Sequence, residues 1–226
     1  MKGLFVKEWR HLFTTMTGYV FIALYLALSG AVFTLTCLLA QSGDIKSYFS
    51  VFTTVAVLLF PILTMGLFSE ERRQKTDELL LTAPVTLTSV VLGKFLATLA
   101  VFLLPMLVTL SYPAVLYAFG VRALAATVGN YAGLVLLAGA CIALGLFLSL
   151  LTDSQFVAAM TTYAVFGLLL LAGSAVAMVN QPALQAALRF LAIAMHCEGF
   201  SYGVFDAMEA VYYLSVTALF LFLSVY

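Results

Sequence analysis

Residues 69–94, SEERRQKTDELLLTAPVTLTSVVLGK, form the longest polar interruption in an otherwise apolar chain. Seven charged residues of both signs precede Ala83 within this stretch. Pro84 disfavours a helical conformation at Ala83 and so ends the charged part, while Thr88 is placed to cap the helix that follows. Because long apolar runs flank the stretch on both sides, the sequence predicts a short helical strut between two membrane helices.

The composition argues against a soluble protein. Of the 226 residues, 64% are hydrophobic and only 9% are charged, whereas soluble domains carry about 25% charged residues. The polar shell of a soluble helical protein could not be built from so few charges, so the predicted fold is all-α and integral to a membrane. A formal net charge of zero gives no indication of nucleic-acid binding. The three scattered cysteines do not resemble a disulfide framework.

Six apolar runs are long enough to cross a membrane. At ~1.5 Å per residue, about 20 helical residues cover the ~30 Å hydrocarbon layer. The third run is longer than one crossing needs and contains Pro105 and Pro113, so it is predicted to be bent or tilted. All six belong to one predicted transmembrane domain, residues 1–226, in which the polar segment is residues 69–87. The predicted spans are residues 18–40, 48–68, 88–119, 128–151, 156–179 and 209–226.

Two further segments are not predicted to cross the membrane. Residues 1–17 place apolar side chains at helical spacing among basic ones, which is typical of a helix lying on the membrane surface. The alternative is an ordinary charged flank of the first span. Residues 180–208 contain an apolar stretch, residues 183–195, that is too short to cross, so a re-entrant or interfacial segment is predicted there.

The distribution of basic residues predicts the orientation. Cytoplasmic loops carry an excess of Lys and Arg. Six crossings place both termini on one side, together with the polar segment, and that side holds seven basic residues against three on the other. Both termini and the polar segment are therefore predicted to be cytoplasmic. The seven are Lys2, Lys7, Arg10, Arg72, Arg73, Lys75 and Lys94, and the three are Lys46, Arg122 and Arg189.

The sequence lacks the motifs of three energy-using or catalytic classes. An ATPase needs GxxxxGK[ST], but Phe95 follows the only Gly-Lys pair, Gly93-Lys94, and the upstream glycine is missing. An intramembrane hydrolase needs a constellation of Ser, His or Asp at depth, and none is found, since both histidines lie outside the predicted spans. An ion-driven carrier needs ionisable groups in mid-membrane, whereas Lys94 is predicted to extend back to the interface. The chain is predicted not to be an enzyme and to bind no cofactor itself.

Three other features of the sequence give weaker signals. His196, Cys197 and Glu198 are metal-ligand types, but adjacent residues cannot converge on one ion, so no metal site is predicted. Gly129 and Gly133 form a GxxxG pattern that predicts close helix–helix packing, with chance as the alternative. Hydroxyl groups within the spans are expected mostly to bond to their own helices, the alternative being a polar path. They belong to Thr53, Thr54, Thr98, Thr109, Thr161, Thr162 and Tyr163.

Two stretches carry a resemblance to a known family. Residues 69–95, SEERRQKTDELLLTAPVTLTSVVLGKF, resemble the ABC-2 type permeases, the membrane subunits of one class of ATP-driven transporters. Residues 196–215, HCEGFSYGVFDAMEAVYYLS, are similar to the last outer loop and sixth helix of that family, although Cys197 and Tyr202 depart from its pattern. Within that family, the chain most resembles the branch that contains the permeases of gliding motility and of nitrous-oxide-reductase maturation.

The resemblance implies a mechanism and partners. The polar segment would be a coupling helix that fits a cleft in a separate cytoplasmic ABC ATPase, which would bind ATP and Mg²⁺. Two permeases, identical or paralogous, would pair in the inner membrane, and residues 180–208 would form an outer re-entrant hairpin. The alternative from the gliding branch is a scaffold that transmits mechanical work without a transported substrate. The implied ATPase contacts are Glu70, Glu71, Arg72, Arg73, Thr76, Glu78 and Leu79.

Two questions stay open from the sequence. The first four of these contacts, residues 70–73, could instead prolong the second span into the cytoplasm. The substrate is not identified: the charge-poor spans argue against a small, highly charged cargo, and lipid-like, polymeric and peptide cargoes all remain.

Overall fold

Every secondary-structure element in the described part of the chain is a helix. This confirms the all-α prediction for the residues that the computed structural model describes. The described residues are 2–40, 45–73, 86–118, 124–176, 178–179, 181–202 and 207–226.

Six of these helices are long and apolar enough to cross a membrane, which confirms the predicted number. The N-terminal helix, Lys2–Thr14, precedes them. Between the fifth and sixth lies the 182–202 segment, made of the helix Pro182–Leu191 and the 3₁₀ helix Met195–Tyr202. The spans, numbered first to sixth, are Thr17–Leu39, Ile45–Thr64, Leu87–Ala118, Ala125–Leu150, Gln155–Val176 and Ala207–Val225.

The polar segment begins with a short separate helix. The second span ends at Thr64, a turn covers residues 65–68, and the helix Ser69–Arg73 follows. Residues 74–85 lie outside the described residues. The predicted cap at Thr88 is wrong: the third span starts at Leu87, so Thr88 lies inside the helix, and the capping position belongs to Thr86.

The third span is interrupted at Leu110, which separates the helices Leu87–Thr109 and Ser111–Ala118. Pro113 has no amide hydrogen to donate to the carbonyl oxygen of Thr109, four residues earlier. The hydroxyl of Tyr131, from the fourth span, donates to that oxygen instead, at 2.7 Å. The hydrogen bond that Pro113 cannot make to the Thr109 carbonyl is therefore replaced by one from a side chain of a neighbouring helix.

The fourth span lies at the centre of the bundle. It packs against the second, third, fifth and sixth spans and against the 182–202 segment. Within its most apolar stretch 72% of the residues are buried, compared with 28%, 22% and 11% in the first, fifth and sixth spans. Those three spans therefore turn large apolar faces outward, as expected of helices surrounded by lipid or by another chain.

An aromatic cluster fills the space between the first three spans. The Tyr25 ring meets the Phe52 and Phe102 rings edge-on, with centroids 5.0 and 5.7 Å away. Such T-shaped pairs add to the stabilisation from burial. Phe21 and Phe60 complete the cluster, and all five side chains are fully buried. Fully buried aromatic side chains therefore fill this part of the bundle.

Small residues set the closest helix approach. A Cβ on Gly145, in the fourth span, would lie 2.4 Å from the Thr64 hydroxyl oxygen and 2.7 Å from the Thr64 Cβ. The second and fourth spans therefore cross at a distance that only glycine permits. Gly133 of the predicted GxxxG pattern instead meets the Phe200 side chain of the 3₁₀ helix, and Gly129 is buried.

Replacing Gly145 with Ala should separate the second and fourth spans and lower stability. Overpacking of this kind costs about 1–3 kcal/mol. Gly167→Ala is the matched control, because nothing lies within 4 Å of a Cβ at that position in the fifth span. Thermal unfolding in nanodiscs should show a lower Tm for Gly145→Ala and an unchanged or higher Tm for Gly167→Ala. Equal Tm values for both variants would contradict the close crossing.

Candidate coupling site at one end of the bundle

Four parts of the chain meet at one end of the bundle. They are the N-terminal helix, the segment of residues 65–73, the start of the third span and the turn between the fourth and fifth spans. Residues 73 and 86, the described neighbours of residues 74–85, both lie in this part of the bundle. We call this group of contacts the base.

The side chain of Ser149, near the end of the fourth span, holds the start of the helix Ser69–Arg73. The Ser149 hydroxyl accepts hydrogen bonds from the backbone amides of Phe68, at 3.1 Å, and Ser69, at 3.2 Å. It also donates to the carbonyl oxygen of Met65, at 3.3 Å. Amides at the start of a helix lack intrahelical acceptors, so a buried hydroxyl at this point satisfies groups that would otherwise be unpaired. Ser149 is fully buried.

A second contact ties the same short helix to the turn after the fourth span. The Arg72 Nη1 atom lies 3.1 Å from the Asp153 Oδ1 atom. Both side chains are exposed, by 43% and 86%. An exposed ion pair of this kind contributes about 0–1 kcal/mol and is weakened by salt. The buried Ser149 contact therefore sets the position of the helix, and the Arg72–Asp153 pair adds little.

A buried ion pair joins the N-terminal helix to the third span. The Lys94 Nζ atom lies 3.0 Å from the Glu8 Oε2 atom, and the side chains are only 2% and 5% exposed. The same Nζ atom lies 4.9 Å from the centroid of the Phe68 ring, at the end of the turn that follows the second span. Lys94 thus connects three parts of the chain that are distant in sequence.

The prediction that Lys94 extends to the interface is therefore wrong. Its ammonium group is enclosed because the carboxylate of Glu8 lies next to it. An unpaired buried charge would be very unfavourable, whereas a paired and hydrogen-bonded one is tolerated. The preceding residue, Gly93, permits the close contact: a Cβ there would lie 2.9 Å from a Leu4 methyl group. The pair Gly93-Lys94 is thus a docking site for the N-terminal helix.

The residues predicted to contact an ATPase fall into two groups. Glu70, Arg72 and Arg73 lie on the helix Ser69–Arg73, with Glu70 half-buried and both arginines exposed. The Glu71 backbone is part of the same helix. Because a turn precedes this helix, residues 70–73 do not simply prolong the second span. The remaining predicted contacts, Thr76, Glu78 and Leu79, lie outside the described residues.

Sequence reasoning missed three residues that build the base: Glu8, Ser149 and Asp153. Glu8 could have been noticed as the acidic residue in an otherwise basic amphipathic helix. A lysine within an apolar run is by default a candidate functional residue, and its buried position calls for an acidic neighbour. Ser149 carries no such signal, because a serine near the end of an apolar helix is ordinary.

Comparison with known proteins identifies the family. Residues 34–226 match the family described as ABC-2 family transporter protein. The match covers all but the first 33 residues, so the N-terminal helix and Glu8 precede it. A search of curated proteins finds no match. Because the family match covers far more than half of the chain, the chain belongs to the ABC-2 family of transporter proteins and is a non-catalytic, multi-pass membrane subunit of an ABC transporter.

Proposed function

We propose that this chain is the permease through which a separate cytoplasmic ABC ATPase drives export of a substrate across the inner membrane. The ATPase binds ATP and Mg²⁺, and two permeases, identical or paralogous, form the membrane part. Both termini and the base face the cytoplasm, in agreement with the excess of basic residues on that side. The ATPase contacts are Glu70, Glu71, Arg72, Arg73, Thr76, Glu78 and Leu79.

The observation that carries this proposal is the fixed position of both flanks of residues 74–85. On the N-terminal side, Ser149 holds the helix Ser69–Arg73 against the fourth span. On the C-terminal side, Lys94 holds the third span against Glu8. A segment whose two ends are anchored in a packed bundle passes an applied displacement to that bundle, because protein interiors have low compressibility.

The contacts also indicate which spans would move. The second span leads into the helix Ser69–Arg73, and the third span follows residues 74–85. A push on residues 74–85 by a closing ATPase therefore acts first on these two spans. The buried Ser149 contact carries the push to the central fourth span, and the Glu8–Lys94 pair carries it to the N-terminal helix.

A second candidate function is an ATPase-driven scaffold that moves no substrate. The aromatic cluster between the first three spans favours it, because fully buried side chains fill that space. Under the export proposal the path must then run between two permeases. A nucleotide-bound structure of the full complex distinguishes the two functions: a continuous lipid- or water-filled path between the permeases would rule out the scaffold.

Reversing two charges near residues 74–85 should uncouple the ATPase. In the double variant Arg73→Glu and Glu78→Lys, like charges would face each other at the interface, which costs several kcal/mol and should reduce ATPase binding at least about tenfold. The measurements are co-purification of the ATPase with the tagged full chain and ATP turnover of the complex. Arg189→Glu is the matched control, because it reverses one exposed charge in the 182–202 segment. Wild-type co-purification and turnover for the double variant would overturn the coupling assignment.

Removing one partner of the Glu8–Lys94 pair should destabilise the protein more than removing both. Glu8→Leu removes the carboxylate that lies 3.0 Å from a buried ammonium group, and removing one partner of a buried ion pair costs about 3–5 kcal/mol. The double variant Glu8→Leu with Lys94→Met replaces both charges with apolar groups, so its Tm in nanodiscs should return close to the wild-type value.

Lys7→Leu is the control for the ion pair, because the Lys7 side chain is 58% exposed and its Nζ atom lies 4.0 Å from the Glu8 Oε1 atom. Its Tm should not change. A Tm of Glu8→Leu equal to the wild type, or a double variant less stable than Glu8→Leu, would show that the ion pair does not hold the N-terminal helix.

A further inference from the structure

A cavity of about 310 Å³ lies at the end of the bundle opposite the base. It is bounded by the start of the second span, the end of the fifth span, Asn130 of the fourth span and part of the 182–202 segment. The lining residues are Phe49, Ser50, Thr53, Thr54, Asn130, Leu170, Gly173, Ser174, Ala194, Met195 and Cys197.

The lining combines hydroxyl groups with apolar surface, and none of its described residues is charged. The hydroxyls of Thr54 and Ser174 donate to carbonyl oxygens of their own helices, at 3.5 Å and 2.9 Å. Their oxygen lone pairs stay able to accept a hydrogen bond from a ligand. An ionised ligand would find no counter-charge in this lining, so burying it here would be unfavourable.

Thr53 differs from these neighbours. Its residue is only 6% exposed, and its hydroxyl forms no hydrogen bond with any described residue. A hydroxyl in a buried side chain normally has a partner. Because Thr53 lines the cavity, a ligand in the cavity can supply that partner.

The wall formed by the 182–202 segment is held in place by the sixth and fourth spans. The Tyr213 hydroxyl donates to the Ile193 carbonyl oxygen at 2.6 Å and lies 3.0 Å from the Cys197 Sγ atom. The Phe200 side chain fits against Gly133, where any larger residue would collide with it. The cavity is therefore already formed without a ligand, so binding does not have to include the free-energy cost of ordering its wall.

We propose that this cavity binds the polar headgroup of an uncharged, hydroxyl-bearing amphiphile, with the Thr53 hydroxyl as its buried hydrogen-bond partner. The volume holds a small neutral headgroup of glycerol size with a few methylene groups. Phe49, Leu170 and Met195 provide the apolar surface for the start of the acyl chain. The site does not depend on the coupling function, because none of its residues belongs to the base.

The test is photoaffinity labelling of the full chain in phosphatidylcholine nanodiscs. The probe is 1-oleoylglycerol with a diazirine near the start of its acyl chain, and labelled peptides are identified by mass spectrometry. Label should concentrate on residues 49–54 and 194–197. Unlabelled 1-oleoylglycerol should compete for the site, whereas 1-oleoylglycerol 3-phosphate, which differs by one charged group, should compete poorly.

The matched variants are Thr53→Val and Thr162→Val. Each exchanges a hydroxyl for a methyl group on a buried threonine, but the Thr162 hydroxyl already donates to the Ala158 carbonyl oxygen, at 2.7 Å, and lies away from the cavity. Loss of one hydrogen bond of ordinary strength predicts about fivefold weaker competition by 1-oleoylglycerol in Thr53→Val. Thr162→Val should behave as the wild type.

Three outcomes would overturn the proposal. One is label spread over the lipid-facing sides of all spans, as bulk lipid would give. Another is equal competition by the phosphate-bearing compound. The third is wild-type labelling and competition in Thr53→Val. None of these outcomes bears on the ATPase, because the nanodisc sample contains the permease chain alone.

Discussion

The buried ion pair between Glu8 and Lys94 is the constraint on which the base of the bundle depends. Charges away from water are tolerated only when they are paired and hydrogen-bonded. Separating the N-terminal helix from the third span would therefore take the Glu8 carboxylate away from an enclosed ammonium group. The Phe68 ring, at the end of the turn that follows the second span, lies over the same ammonium group. One lysine thus holds together the N-terminal helix, the end of the second span and the start of the third.

The rest of the architecture follows from how closely the helices can approach. Between apolar helices in lipid, close packing and side-chain hydrogen bonds provide most of the attraction. Gly93 admits Leu4 beside the ion pair, Gly145 admits Thr64 at the crossing of the second and fourth spans, and Gly133 admits Phe200 at the other end. The fourth span carries two of these glycines and also Ser149. It is consequently the element against which both ends of the bundle are positioned.

The helices were predictable from the sequence because hydropathy, proline position and span length are local properties. The number of spans and the bend in the third span were predicted for this reason. The site depends on distant pairs: Lys94 lies 86 positions from Glu8, and Ser69 lies 80 positions from Ser149. A single sequence does not show which distant residues come together, so Lys94 was predicted to reach the interface rather than to pair with Glu8. Likewise, the sequence does not show that the Thr53 hydroxyl differs from those hydroxyls in the spans that bond to their own helices.

Under the proposed function, the two contacts of the helix Ser69–Arg73 have different consequences. Arg72 and Asp153 are exposed, so their attraction weakens with salt and water can replace it. The Ser149 hydroxyl is buried, and separating it from the amides of Phe68 and Ser69 would leave polar groups unpaired inside the protein. A push from an ATPase can therefore break the outer contact at little cost while the inner contact holds. Under this proposal the helix would turn about Ser149, and Lys94 would hold the start of the third span, on the far side of residues 74–85.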